Sequence, residues 1–97
     1  MLTLPFVRCL FDLSIRGANL DGALLVHTKV DRAKVSGSLV YAVNVWDLEG
    51  EFGEQKDLVI TPKGKPVITV DNIKIAQFIY LILNNEDIRD VINTLTS

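Results

Sequence analysis

Ninety-seven residues, 48% of them hydrophobic and 23% charged, describe one globular domain, or a domain and a fragment, and exclude a disordered chain and multidomain machinery. Ten basic against twelve acidic side chains give a net charge of -2, without the basic excess of a sequence-independent nucleic-acid binder. A single cysteine, Cys9, excludes an internal disulfide or a thiolate metal cluster and points to a cytoplasmic setting.

The apolar N-terminal residues Leu2, Leu4, Phe6, Val7, Leu10 and Phe11 do not read as an export signal, because no basic stretch precedes them and Pro5 and Arg8 interrupt. From Leu10 an internal period sets in. Every fifth residue is aliphatic: Leu10, Ile15, Leu20, Leu25, Val30, Val35, Val40 and Val45. Two positions before these, the middle of the run holds small side chains (Ala18, Ala23, Thr28, Ala33, Ser38), while Arg8, Leu13 and Val43 break the rule.

Five steps of about 100° turn a helix roughly 140° off its starting face, and an odd step sends strand residues to opposite faces. Neither element buries all eight. A chain that turns a corner every five residues does, with one large and one small inward residue on each side. The spacing therefore predicts a narrow β-solenoid cored by Leu20, Leu25, Val30, Val35, Val40 and Val45. Its inner position is small because several sides converge on a thin axis.

These residues resemble the pentapeptide-repeat proteins, whose unit is Ala-(Asp/Asn)-Leu-X-X. The clearest match is Ala18-Asn19-Leu20-Asp21-Gly22 followed by Ala23-Leu24-Leu25; Thr28-Lys29-Val30, Ala33-Lys34-Val35, Ser38-Leu39-Val40 and Val43-Asn44-Val45 are weaker units. The later segments Val40 to Asp47, Gln55 to Thr61, Pro66 to Asn72, Ala76 to Tyr80 and Asn84-Asn85 are similar to a region of bacterial proteins that joins such repeats to a Toll/interleukin-1-receptor-like domain. That domain is absent from these residues. The resemblance implies a mainly β fold: a short right-handed quadrilateral β-helix over residues 1–48, then a linker, β-hairpin and two C-terminal α-helices over 49–97.

After Trp46 the rhythm stops at the acidic, glycine-punctuated segment Glu49 to Glu54. Leu58 to Thr61 and Val67 to Val70 flank Pro62-Lys63-Gly64-Lys65-Pro66, which predicts a hairpin. Asp71 or Asn72 can cap a helix starting near Ile73, and Asn84-Asn85 can end it. A second helix from about Glu86 to Leu95 starts with acids and places Ile88, Val91, Ile92 and Leu95 on one face.

The first of these helices is apolar nearly all round, so it requires contact on most sides. A homodimer or higher oligomer built on Phe78, Tyr80, Leu81 and Ile82 is the expected solution. Leu2, Leu4 and Phe6, at an open first coil, also call for a cover.

No chemistry stands out. His27 is the only histidine and has no ligand partners at metal-binding spacing; Cys9 has no activating neighbour. Ser14, Ser36 and Ser38 lack a nucleophile elbow, and Gly17, Gly22 and Gly37 have the wrong spacing for a phosphate loop. Lys63 and Lys65 read as solvated charges on a turn. Asp47, Glu49, Glu51 and Glu54 do not follow an EF-hand pattern. Tyr41 and Trp46 follow inward valines and so face outward.

The expectation is a non-enzymatic, cytoplasmic scaffold of a bacterial signalling-type protein that mediates protein–protein contact and self-association, without catalytic residues, cofactor, metal, nucleic acid, membrane or small-molecule substrate. The alternative is a DNA mimic that binds a type II topoisomerase, the other known use of the resembled family. Residues 1–50 hold as many basic as acidic side chains, so they lack the acidic surface that mimicry requires.

Overall fold

Left-handed backbone turns recur every five residues through the first half of the chain, at Asp12, Gly17, Gly22, His27, Arg32, Gly37, Ala42 and Asp47, with φ between 53° and 74°. The computed structural model describes residues 6–96. In chain order these form β1 (Phe6–Cys9), β2 (Leu24–Lys29), β3 (Asn44–Trp46), β4 (Leu58–Val59), β5 (Thr69–Val70), α1 (Ile73–Asn84) and α2 (Glu86–Thr96).

The expected fold class needs correction. The described chain is not mainly β, and its assigned strands do not make up a quadrilateral β-helix. Strand pairing is confined to a parallel three-stranded sheet, β1-β2-β3, and an antiparallel two-stranded sheet, β4-β5, and α1 and α2 together hold more residues than the five strands. The turn spacing is the physical reason. A left-handed turn every five residues leaves extended pieces shorter than an ordinary strand of about 5–6 residues. Much of the remaining register is accordingly carried by isolated parallel bridges, Ser14 to Lys34, Asn19 to Leu39, Lys34 to Glu54 and Leu39 to Val59.

These bridges and the β2–β3 pairs, Leu24 with Asn44 and Leu25 with Val45, bring successive layers of chain into contact. The periodic aliphatics fill the space inside: Leu10, Leu20, Leu25, Val30, Val35, Val40 and Val45 are no more than 4% exposed, whereas Ile15 is only partly buried. Small residues sit beside them, and the two polar ones are paired, as buried hydroxyls must be. Thr28 Oγ1 donates to the Val7 carbonyl at 2.5 Å, and Ser38 Oγ accepts from the Ala18 N–H at 3.2 Å.

Bonding between layers crosses residues 48–49 without a break. The Val30 N–H donates to the Glu49 carbonyl and the Glu49 N–H to the Thr28 carbonyl, both at 2.9 Å, and Val59 continues the series on Ser38 at 2.9 Å. Gly50 lies in this stretch at φ +88°, and a Cβ built there would stand 1.6 Å from Asp31 Oδ1, the atom that accepts from the Glu51 N–H. Gly50→Ala is expected to destabilise by about 1–3 kcal/mol through left-handed strain and displacement of that carboxylate, read as a lower urea midpoint.

On the first layer Phe6, Phe11 and Leu13 are 40–50% exposed. Cations shield two of them: Arg8 lies 5.1 Å from the Phe6 ring, and Lys29 and Arg32 lie 5.0 and 4.9 Å from Phe11. Leu2 and Leu4 lie outside the described residues. At the other end the loop between the two prolines turns the chain so that Leu58 pairs with Val70 and Val59 with Thr69, and α1 then runs back across β3 and β5.

Candidate functional site

One segment that leaves apolar surface uncovered is α1, and its docking explains which face it leaves. Asn72 caps it, Oδ1 accepting from the N–H groups of Lys74 at 2.8 Å and Ile75 at 3.3 Å. A second amide side chain reaches the same end: Gln55 Oε1 accepts from the Ile73 N–H at 2.9 Å. Ile73 and Ala76 turn inward and are buried.

One turn further on, Gln77 meets the free edge of β3. Its Oε1 accepts from the Val45 N–H, and its Nε2 donates to the Val45 carbonyl at 2.9 Å. A side-chain amide thus makes the pair of bonds that a neighbouring strand would make, and closes an edge that would otherwise be open to another chain. Sequence reasoning missed this. The available signal was a single amide inside an otherwise apolar stretch, since a buried polar group needs partners.

Among the residues expected at an interface, Phe78 is 53% exposed and Leu81 and Ile82 are half-buried. Tyr80 is used within the chain: its ring meets Tyr41 edge-on with centroids 5.3 Å apart. Ile75, at 50% exposed, and Phe78 stand three residues apart on the side away from the core, and half-buried Ile82 continues the stripe at a spacing of four. On the other flank, a cavity of about 330 Å³ lies between α1 and the β4–β5 loop, walled by Tyr41, Ile60, Pro62, Ile68, Ile79 and Leu83. Trp46 is 55% exposed at the end of β3.

The polar residues are occupied in structural contacts. His27 Nδ1 lies 2.7 Å from Asp47 Oδ2 on the surface. Ser36 Oγ accepts from the Lys56 N–H at 2.8 Å, and Ser14 Oγ accepts from Arg16 at 3.3 Å. Lys63 and Lys65 border a second cavity of about 310 Å³ that also meets Asn19 and Asp21. Burial pushes the Asp21 carboxyl up, against the opposing effect of the Tyr41 N–H that it accepts at 2.9 Å. Cys9 is exposed. Among the described residues no three His, Cys, Asp or Glu side chains stand together as a metal site, and no helix is long and apolar enough to cross a membrane.

The strongest electrostatic contact joins the layers. Arg16 Nε and Nη2 donate to the two carboxylate oxygens of Glu54 at 2.6 and 3.1 Å. These bonds, with help from Ser36, hold the Glu54 carboxyl at about 2. A carboxyl more acidic in the folded chain stabilises above the usual glutamate pKa and loses that contribution as pH falls toward its folded value. Acid unfolding between about pH 4.5 and 2 should therefore be shallower in Glu54→Gln, as read from melting temperature against pH; partial exposure of the pair keeps the difference small.

No family model matches this chain, and neither curated proteins nor solved structures provide a match.

Proposed function

We propose that the chain is a non-catalytic interaction module that self-associates through α1 and holds attached protein in a defined oligomer in the cytoplasm. The observation that carries this reading is the exposed pair Ile75 and Phe78, on a helix whose opposite side is fixed by Ile73, Ala76 and Gln77. A rigidly docked helix keeps these side chains in solvent unless another molecule covers them. The pairing of the available serines and of His27 with structural partners supports a non-enzymatic role. The sequence resemblance to a segment that joins a repeat region to a receptor-like domain supports a scaffold that presents a neighbour.

Light scattering at tens of micromolar should give at least twice the monomer mass. Phe78→Glu should return the chain to a monomer with unchanged circular dichroism. A monomeric wild-type chain at that concentration would refute the proposal.

A further inference from the structure

Unlike charges stand beyond the two ends of the α1 stripe. Lys74 stands in the first turn of α1, which has no acid there, and the last turn has no base. Immediately past the C-terminal end, Asn85 caps α2 through the Ile88 N–H at 3.1 Å, and α2 opens with Glu86 and Asp87. The positive end of the α1 dipole is thus next to a cation and its negative end next to two acids, the reverse of what each end favours within one helix.

Lys74 is absent from the ion pairs among the described residues, which are Arg16–Glu54, His27–Asp47 and Arg32–Asp12. It borders a small cleft shared with Glu51 but makes no ion pair across it.

Resting on the reading of α1 as the self-association surface, we propose that its occupant is a second copy laid antiparallel across a twofold axis level with Tyr80. Tyr80 is equidistant along the chain from Phe78 and Ile82, and also from Lys74 and Glu86. An antiparallel pair therefore sets Phe78 against the partner's Ile82 and turns Lys74 toward the end of the partner's α1, where Glu86 and Asp87 open α2. Because the interface is isologous, each contact occurs twice. A parallel pair would oppose Lys74 to its own copy and the acids to theirs, and would align the two dipoles. Twelve residues of helix span about 18 Å, so the charged ends lie beyond the apolar centre, where they select orientation while the stripe supplies affinity.

The test is a charge swap read by sedimentation equilibrium at low salt, with circular dichroism as the check on folding. Lys74→Glu alone, and Glu86→Lys with Asp87→Lys alone, should each weaken dimerisation about tenfold or more, since each creates two like-charge contacts. The triple variant should recover to within about threefold of wild type, because opposite charges again face each other across the axis. A dimer unaffected by either reversal, or weakened by both without recovery in the triple variant, overturns the antiparallel arrangement while leaving self-association in place. A monomeric wild-type chain overturns both.

Discussion

Leu25→Ala is expected to lower stability by about 2–5 kcal/mol, close to the whole margin of a small domain. Leu25 is fully buried in β2, the middle strand, between Val7 of β1 and Val45 of β3. Truncation leaves a cavity at the centre of the core, with close-packed neighbours on both sides that cannot collapse into it without breaking strand register. In a chain of this length the loss corresponds to a melting temperature roughly 10–30 °C lower. Leu24, its neighbour in the same strand, is 37% exposed, and Leu24→Ala should cost less than about 1 kcal/mol. Urea denaturation of the two variants measures the contrast, and equal losses would show that β2 does not sit as described.

The second large effect is expected at Gln77. Gln77→Leu keeps the volume but leaves the N–H and carbonyl of Val45 without the partners they now have, at a cost of about 2–4 kcal/mol. Gln77→Glu separates packing from bonding. Its ionised carboxylate accepts from the Val45 N–H but faces the carbonyl without a proton to donate; protonated, it restores both bonds. The folded state then favours the protonated form, so the variant should be nearer wild type at pH 4 than at pH 7, with the benefit disappearing as pH rises through its folded pKa. Amide exchange at Val45 checks the same point residue by residue: protection should fall in Gln77→Leu, where the N–H loses its acceptor, and less in Gln77→Glu, where the carboxylate still accepts.

Much of the interior was legible because burial is written in side-chain type. A run of large aliphatics at one period, with alanine, serine or threonine two places earlier, identified Leu20 to Val45 as inward-facing residues. What that period left open was the backbone between turns. It says which side chains face in, and the extended pieces prove too short to pair as strands except at β1, β2 and β3. Local punctuation served well where the determinant is local: prolines around Gly64 mark the antiparallel pair and Asn72 marks the start of α1.

The docking of α1 was not legible in the same way. Its two amide contacts join residues 32 and 18 positions apart, and no local pattern announces such a partner. Composition alone made the helix look apolar on all sides, with Tyr80 among the surface candidates. The structure divides it instead, Ile73 and Ala76 facing the core, Tyr80 facing Tyr41, and Ile75 and Phe78 facing out.

The closure of β3 by Gln77 also sets a timetable for synthesis. The residue that seals Val45 is made 32 positions later, which at ribosomal rates is roughly two to six seconds. During that interval the nascent sheet has no lid, and a second polypeptide emerging nearby meets a strand edge ready to accept it. Only when Gln77 follows does the Val45 edge gain the partner that closes it.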